Sequence, residues 1–592
     1  MVKLFTAPET AAQLQIELDT LYRYARSGDL RGVKVGKVWR FTEDDIRAFI
    51  SARRHHPTTE DHAPRLLQDA LRNAARESGD QTKFISGTER LSYAEIDRYS
   101  DGLANRLVAR HVRPGDRIIL GLPNSAAFVI ACFAIWKVRA VVVALDPAIR
   151  STNLQHILER TEPTALIAET SFVERVQEMP GILRFFRVFF LKDPSAALPE
   201  TAQIAVESLQ TAIAGDVETG ALPAGARPDD LATITFTSGS TGAPKGVMHT
   251  HESTLACASF TLNFLELSKT DVMVVPLPLH HILAFRRFLT CFLAQSTALF
   301  APDIFVALSQ FPVLRPTGLV LVPAACNMII DTFASFFRHN GNSLRYVEIG
   351  SEPMSPERLS ALQAILPNTQ IHLTYGLTEG RVGYLKRGPR GVFNRLAGSN
   401  DGLQVQVVDG QGQPVAPGET GEILLRGSGL LKGYLGDSQE ALTSIRNNGF
   451  RTGDMGMMEA NGDIQLMGRM DDILKVGGHK INPREVEAVL QRHPNVAEAV
   501  LVGLADPRKI MEVKLHAFVV PRKDAVPTAA ELVAHCRLHL EPYKVPASIQ
   551  FRASFPKTTL GKIQRHLVTQ EAQGAAVEEG DPSQGPNNPV GA

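Results

Sequence analysis

Thr233–Val247 reads TITFTSGSTGAPKGV. The apolar, β-prone run Ile234–Phe236 delivers the chain into a loop of Thr237, Ser238, Gly239, Ser240, Thr241 and Gly242, which closes on Pro244–Lys245–Gly246. Glycines let backbone N–H groups converge on phosphate oxygens, hydroxyls add donors, and a lysine supplies a point charge. The spacing is not G-x-x-x-x-G-K-[ST], so this is no Walker loop. Taken alone, the same residues would also serve as a flexible connection.

Outward from that loop, helical periods alternate with short apolar strands at Arg117–Leu122, Ala140–Leu145, Thr164–Ile167 and Leu319–Val322. Such alternation predicts an α/β architecture with largely parallel sheets. From about Gly402 to Gly468, short strands punctuated by glycines predict an appended β subdomain, and a compact α+β piece follows. The polar, proline-bearing stretch His55–Pro64 reads as a linker. From Glu571 the chain has almost no large apolar residues and is expected to be disordered. The expected organisation is a helix-turn-helix over 1–54, a linker over 55–63, a large domain over 64–467, a small mobile domain over 468–570 and a disordered tail over 571–592.

At 592 residues the chain is too long for one core. Its composition, 44% hydrophobic and 21% charged, is that of an ordinary globular protein. Its zero formal net charge excludes a polyanion binder acting through overall charge. Five scattered cysteines with no CxxC pair exclude a zinc cluster or a disulfide framework and suggest buried reduced thiols in a cytoplasmic protein. The N-terminus lacks the apolar core of a signal peptide. The most apolar run, Phe128–Leu145, is broken by Lys137 and Arg139. It reads as a buried helix entering a buried strand, and no integral membrane segment is expected.

Further short motifs follow the loop in order: GSEP (Gly350–Pro353), YGLTE (Tyr375–Glu379), GETGEILLRG (Gly418–Gly427), RTGD (Arg451–Asp454), GRMDDILK (Gly468–Lys475) and PKTTLGKIQR (Pro556–Arg565). Together with Thr237–Gly246 they resemble the signatures of the adenylate-forming, AMP-binding superfamily of acyl-CoA synthetases, peptide-synthetase adenylation domains and firefly luciferase. The resemblance covers about Pro64 to Gln570. It implies ATP-dependent conversion of a carboxylic acid to an acyl-adenylate, with pyrophosphate released, and then displacement of AMP by a thiol.

The first step brings a carboxylate onto a polyanion, so it needs charge neutralisation and alignment more than acid–base chemistry. By resemblance, Ser238–Lys245 hold the β- and γ-phosphates of ATP, Thr378 touches the α-phosphate and Glu379 ligates Mg²⁺, a hard cation suited to carboxylate oxygens. Gly350, Ser351 and Glu352, with Tyr375 and Gly376, enclose the adenine, and Asp454 and Arg469 hold the ribose. Lys562 bridges the incoming carboxylate and the α-phosphate. The small domain then rotates about Asp471, exchanging Lys562 for the loop at Gly477–Gly478, which packs against the pantetheine arm of CoA. Two departures stand out: Val138–Arg139 where relatives commonly have a glycine, and Ser351–Glu352 in place of the commoner Gly-Ala. Both are expected to alter packing and not activity.

Within PLPLHHILAFRRFLTCFLAQ (Pro276–Gln295), His280 and His281 fall where an aromatic–His pair borders the family's acyl pocket. His281 would gate acid and thiol, or serve as a hydrogen-bonded histidine near the phosphates. Arg286–Arg287 and Arg381 would meet a polar or second acidic group on the substrate, or, for the Arg286–Arg287 pair, sit solvated or in helix salt bridges.

Residues up to about Arg54 resemble an excisionase or MerR-like winged helix-turn-helix. Thr6 or a neighbour would cap a first helix with Ala11, Ala12 and Leu14 on its buried side, a second helix would span Thr20–Arg26, and Val33–Phe41 would form a hairpin wing turning at Gly36–Lys37. Arg23, Arg26, Lys34, Lys37 and Arg40 then form a basic face suited to DNA, although the local excess is only about three charges. A docking module with the same fold is the alternative. Engaging two half-sites would need two copies, hence a homodimer. The resemblance favours CoA as acceptor. The competing readings are an acyl-AMP ligase loading a carrier protein in trans, and a transcription regulator using the enzyme body as a sensor.

Overall fold

A computed structural model describes residues 4–14, 21, 25, 30, 32–35, 38–43, 45–46, 64–179, 181–192, 204–215, 222–237, 244–352, 354–387, 393–396, 399–400, 402–470, 472, 474–476, 479–505, 513–523, 525–558 and 561–578. The chain divides into two compact units, Met1–Pro64 and Arg65–Ala592.

In the first unit, the helix Ala7–Leu14 starts at Thr6. The backbone N–H and hydroxyl of Thr6 donate to Glu9, each at 2.8 Å, and the Glu9 N–H returns a bond. This reciprocal cap satisfies otherwise orphaned groups. Val33–Val35 and Val38–Thr42 pair as the expected hairpin. Leu4–Thr6 adds a third strand on the far side of Val38–Thr42, which the sequence did not reveal. Ala7, Ala11, Leu21, Ala25, Leu30, Phe41 and Ile46 are its small core. Arg23, Arg26, Lys37 and the side chain of Lys34 lie outside the described residues, as do the side chains of Ala12 and Leu14. Arg40 is half-buried, donating to the Trp39 carbonyl.

The body of the second unit is built on two large sheets. The first runs Ala205–Ser208, Val188–Leu191, Ala165–Ala168, Arg117–Gly121, Val141–Ala144 and Leu231–Thr237 in parallel, then Lys245–Thr250 and Gly433–Tyr434 antiparallel. In the second, Thr297–Phe300, Val272–Val275, Gly318–Leu321, Tyr346–Ile349 and Gln370–Leu377 are parallel neighbours. This sheet does not stop at a domain edge. Gly380–Arg387 and Phe393–Leu396 carry it antiparallel into Ile464–Arg469, Phe450–Met458, Thr420–Gly427 and Leu403–Val408. The glycine-punctuated region is the expected β subdomain, with its own core at Leu403, Val405, Val407, Ile423, Leu425 and Ile464, and its strands are joined edge to edge to the central sheet.

The helices Tyr93–Ala109, Ala126–Lys137 and Ile282–Ala294 share one core with residues of both sheets. Ala126–Lys137 is buried on all sides, which explains its lack of an amphipathic period. Lys137 ends it with its ammonium on Asp97 (2.6 Å) and Asp101 (2.7 Å). Arg139 follows at φ +60°. That backbone region costs a side-chain-bearing residue about 1–2 kcal/mol. Its guanidinium bonds to the Ala224 carbonyl and to Asp230, offsetting that cost. All five cysteines are buried and free.

Two charges meet in the interior. Arg287 donates to Glu348 through Nε (2.6 Å) and Nη2 and to Thr261 Oγ1 (2.9 Å), while the Tyr384 hydroxyl donates to the same carboxylate (3.0 Å). Arg286, its neighbour, is also buried. The expectation of a solvated or surface-paired double arginine is thus corrected: a helix between two sheets has no water-facing side here.

After Arg469, the hairpin Leu474–Val476 and His479–Ile481 leads to the helix Pro483–Gln491 and a sheet of Val496–Ala505, Val513–Pro521 and Ser548–Phe551. The final helix, Arg565–Glu578, overruns the expected start of disorder at Glu571. Val568 and Ala572, four residues apart, pack on Val500, Val502 and Phe518, and Glu571 pairs with Arg552 (2.5 Å). Small residues at helical spacing suffice. Residues 579–592 lie outside the described set.

The buried charges and histidines of this interior are open to test. Arg287→Met strands the Glu348 carboxylate and should cost about 3–5 kcal/mol, whereas the double change with Glu348→Leu should recover much of it. Denaturant unfolding of both variants checks this, and equal losses would refute it. Buried His251 accepts the Leu67 N–H at Nδ1 (3.2 Å), and burial pushes its pKa down to about 4. A depressed folded-state pKa means the unfolded chain binds more protons below pH 6.5, so stability is intact above that and declines toward pH 4. The loss at pH 5 is on the order of 2 kcal/mol. His251→Asn should flatten the slope of unfolding free energy between pH 7 and pH 5; an unchanged slope would exclude His251 as its source.

Candidate active site

The two sheets bring their carboxyl-terminal loops together. Leu231–Thr237 and Lys245–Thr250 form a hairpin in which Thr237 faces Lys245 across the strands. Ser238, Gly239, Ser240, Thr241 and Gly242, which join them, lie outside the described residues. In the second sheet, Tyr346–Ile349 ends at Gly350 beside Thr374. A Cβ on Gly350 would lie 2.7 Å from Thr374 Oγ1 and 3.1 Å from Leu283. Only glycine fits so close an approach. Ser351 stands at φ +82°. The commoner glycine would adopt that conformation freely. Burial raises the pKa of Glu352, opposed by the positive charges of Lys562, Arg484 and Lys557.

Gln370–Leu377 and Gly380–Arg387 are antiparallel, with Thr378–Glu379 as the two-residue turn between Leu377 and Gly380. The Glu379 carbonyl accepts the Leu431 N–H (2.7 Å), and its carboxylate accepts the Tyr434 hydroxyl (2.8 Å). Lys245 Nζ lies 5.8 Å from the centre of the Tyr434 ring. Tyr434 therefore stands between the Lys245 ammonium and the Glu379 carboxylate. No motif marked it in the sequence, because a lone tyrosine after a glycine carries no signal of its own.

Tyr375 donates its hydroxyl to Asp454. Asp454 faces Arg469 across a strand pair (3.4 Å) and is mostly buried. Burial raises its pKa against the pull of Tyr375 and Arg469. Gly376 lies next in the same strand as Tyr375, opposite Arg381.

His281 caps the helix Ile282–Ala294, its Nδ1 accepting the Leu283 N–H (3.4 Å). Burial, then the nearby His280, Arg286 and Lys562, bring its pKa to about 4, so it is neutral near pH 7. His280 is 3.9 Å from Asp146. The Arg381 guanidinium is buried 3.5 Å over the Phe260 ring.

Lys562 is exposed on a tight loop, with Thr558 N–H donating to its carbonyl (2.8 Å) and Gly561 at φ +84°. A Cβ on Gly561 would sit 3.0 Å from that of Ala324, which places the loop against the helix Pro323–Asp331. The Lys562 charge is felt by His281, Glu352 and Asp454, so these four residues, distant in sequence, share one region. Asp471, Gly477 and Gly478 lie outside the described residues. Sequence reasoning also missed His249, whose ring reaches the Thr378 carbonyl (2.8 Å).

Among the described residues, no three His, Cys, Asp or Glu side chains form a metal cluster, and no helix is long and apolar enough to cross a membrane. What the strand ends and loops carry is cationic at Lys245, Arg469 and Lys562 and acidic at Glu379 and Asp454. That set fits a nucleotide: cations for phosphates, an acid for sugar hydroxyls, and one carboxylate for a hard cation shared with phosphate oxygens.

Comparison with known proteins agrees. Residues 71–435 match the family described as AMP-binding enzyme, residues 485–562 match AMP-binding enzyme C-terminal domain, and residues 4–54 match Helix-turn-helix domain. The chain is 28% identical over 518 residues to the oxalate–CoA ligase of Arabidopsis thaliana, covering 85% of this chain and 98% of that protein. It is 29% identical over 526 residues to the fatty acid–acyl-carrier-protein ligase ScoC of Streptomyces coeruleorubidus, covering 87% and 96%. Among solved structures, ATP-bound MatB from Rhodopseudomonas palustris superposes with a TM-score of 0.75 at 23% identity, over 86% of this chain and 99% of that one. The chain belongs to the AMP-binding enzyme family, in its AMP-forming acid–CoA ligase group, with a segment matching the helix-turn-helix family ahead of the enzyme body.

Proposed function

We propose that the protein activates a carboxylic acid with ATP and Mg²⁺ and transfers the acyl group to CoA, and that its N-terminal unit binds DNA. The observation that carries the first part is the placement of Lys562. A lysine of the small domain stands within electrostatic reach of His281, Glu352 and Asp454, where a carboxylate and an α-phosphate could both meet its charge. Lys245 and the loop Ser238–Gly242 hold the β- and γ-phosphates, Thr378 the α-phosphate, and Asp454 with Arg469 the ribose. Gly350, Ser351, Glu352, Tyr375 and Gly376 enclose the adenine. Glu379 would hold Mg²⁺, which would supply charge neutralisation at the phosphates. Neutral His281 borders the acid. The small domain then turns about Asp471 to bring Gly477–Gly478 to the pantetheine arm of CoA.

One relative acts on oxalate with CoA and another on a fatty acid with a carrier protein, so family membership alone does not choose the acid. Measuring pyrophosphate release over fatty, aromatic and dicarboxylic acids, with CoA or a carrier protein as acceptor, decides both. Release without thioester formation on either acceptor would favour the sensor reading.

Lys562→Ala should lower adenylation ~100–1000-fold, the typical cost of one charged transition-state contact, while CoA ester still forms from supplied acyl-adenylate. Adenylation at the wild-type rate would remove Lys562 from the reaction.

Because Met1–Pro64 is a unit of its own, a chain starting at Arg65 should keep its ligase rate. The full-length protein should retain duplex DNA with an affinity that falls steeply with salt, as phosphate contacts release counterions. Replacing Arg23 and Arg26 together should weaken retention. Selection from random duplexes at low salt that yields neither enrichment nor salt-sensitive retention would assign the unit to protein docking.

A further inference from the structure

Arg286 is a buried cation for which, among the described residues, no carboxylate lies within ion-pair distance. Its Nη1 donates to the Leu377 carbonyl and its Nη2 to the Thr378 carbonyl, each at 3.1 Å. The Thr378 carbonyl accepts a second bond from His249 Nε2 at 2.8 Å. Burial, reinforced by the Arg286 charge, brings the His249 pKa to about 3, so the ring is neutral. A neutral ring facing a carbonyl must carry its proton on Nε2. That leaves Nδ1 to accept from Ser253 Oγ (3.2 Å).

We infer that Arg286, assisted by His249, is a positioning residue that fixes the Thr378–Glu379 turn for the nucleotide. The argument is one of direction. A two-residue turn has few ways to arrange its peptide planes. Here the carbonyls of Leu377, Thr378 and Glu379 are all engaged, by Arg286, by Arg286 with His249, and by the Leu431 N–H. With those planes set, the Thr378 and Glu379 side chains have fixed origins. Charge works in the same direction, because Glu379 is among the groups whose field stabilises the buried guanidinium. The clamp also joins two ends of the reaction. Arg286 lies about one turn after His281 in one helix, so the histidine beside the acid and the turn beside the nucleotide share a rigid support.

This inference rests on the proposed adenylation, so its test includes a readout that needs no turnover: MgATP binding by calorimetry across a Mg²⁺ series, beside pyrophosphate release. Arg286→Met should raise the MgATP dissociation constant and the Mg²⁺ half-saturation about tenfold and lower turnover on the order of 100-fold, the scale of a roughly 1 Å misplacement. Arg286→Lys, able to reach one carbonyl, should restore part of each. Should Arg286→Met not fold, His249→Leu against His249→Gln carries the same test, since glutamine can still donate to the Thr378 carbonyl. A role in packing alone would lower Tm while leaving MgATP affinity and Mg²⁺ half-saturation at wild-type values, and that result overturns the inference. Wild-type protein that binds MgATP yet releases no pyrophosphate with any acid defeats the adenylation reading instead, while the binding data still decide the clamp.

Discussion

Arg287 and Glu348 meet where water is excluded, between a helix and an interior strand of the larger sheet. Burying two charges is tolerable only when their geometry is good and their remaining donors and acceptors are satisfied. Thr261 and Tyr384 supply that completion from two further elements, the helix His251–Phe264 and the strand Gly380–Arg387. Glu348 lies two residues before Gly350, and Arg287 lies next to Arg286. The pair therefore fixes the origin of the Gly350–Glu352 loop and the helix that grips the Thr378–Glu379 turn. The local geometry of the site is largely inherited from this one buried contact.

The alternation of helix and strand was readable because parallel strands buried on both faces must be apolar runs. Arg117–Gly121, Val141–Ala144, Ala165–Ala168 and Gly318–Leu321 fall within a residue or two of the expected segments. The short motifs were readable for a different reason: glycines and charges at fixed spacing near a nucleotide have few substitutes. Sheet continuity was not readable. Whether Gly380–Arg387 ends one sheet or passes into another depends on hydrogen bonds to Phe393–Leu396, and no local pattern encodes that. The same holds for Arg286 and Arg287. Two adjacent arginines suggest water until the helix bearing them is known to lie between two sheets. The final helix eluded the sequence because alanine contributes little to apolar composition, yet Ala572 is enough to seat it.

Arg139 and Ser351 show how substitution at a left-handed position is absorbed. At Arg139 the cost is local and so is the compensation, since the long side chain reaches the Ala224 carbonyl and Asp230. At Ser351 the residue stands between Gly350, which admits no Cβ, and Glu352, whose carboxyl feels the small domain's cations. Backbone strain at Ser351 is thus held in place by neighbours on both sides.

The charge arrangement bears on how the small domain holds its place. Lys562 is exposed and has no close ion pair among the described residues, yet it lies in the field of Glu352 and Asp454. Arg484 and Lys557, also of the small domain, feel or exert the same field at Glu352. Three cations thus act on one half-buried acid through space, with no short ion pair to it among the described residues, while Lys557 is itself paired with Glu498 (2.5 Å). Longer-range attraction favours the juxtaposition but costs little to break. On the proposed reading, a triphosphate and a carboxylate add anions between these cations and strengthen the closed arrangement. Departure of pyrophosphate removes most of that added charge, which frees the small domain to turn at the moment the second half-reaction requires it.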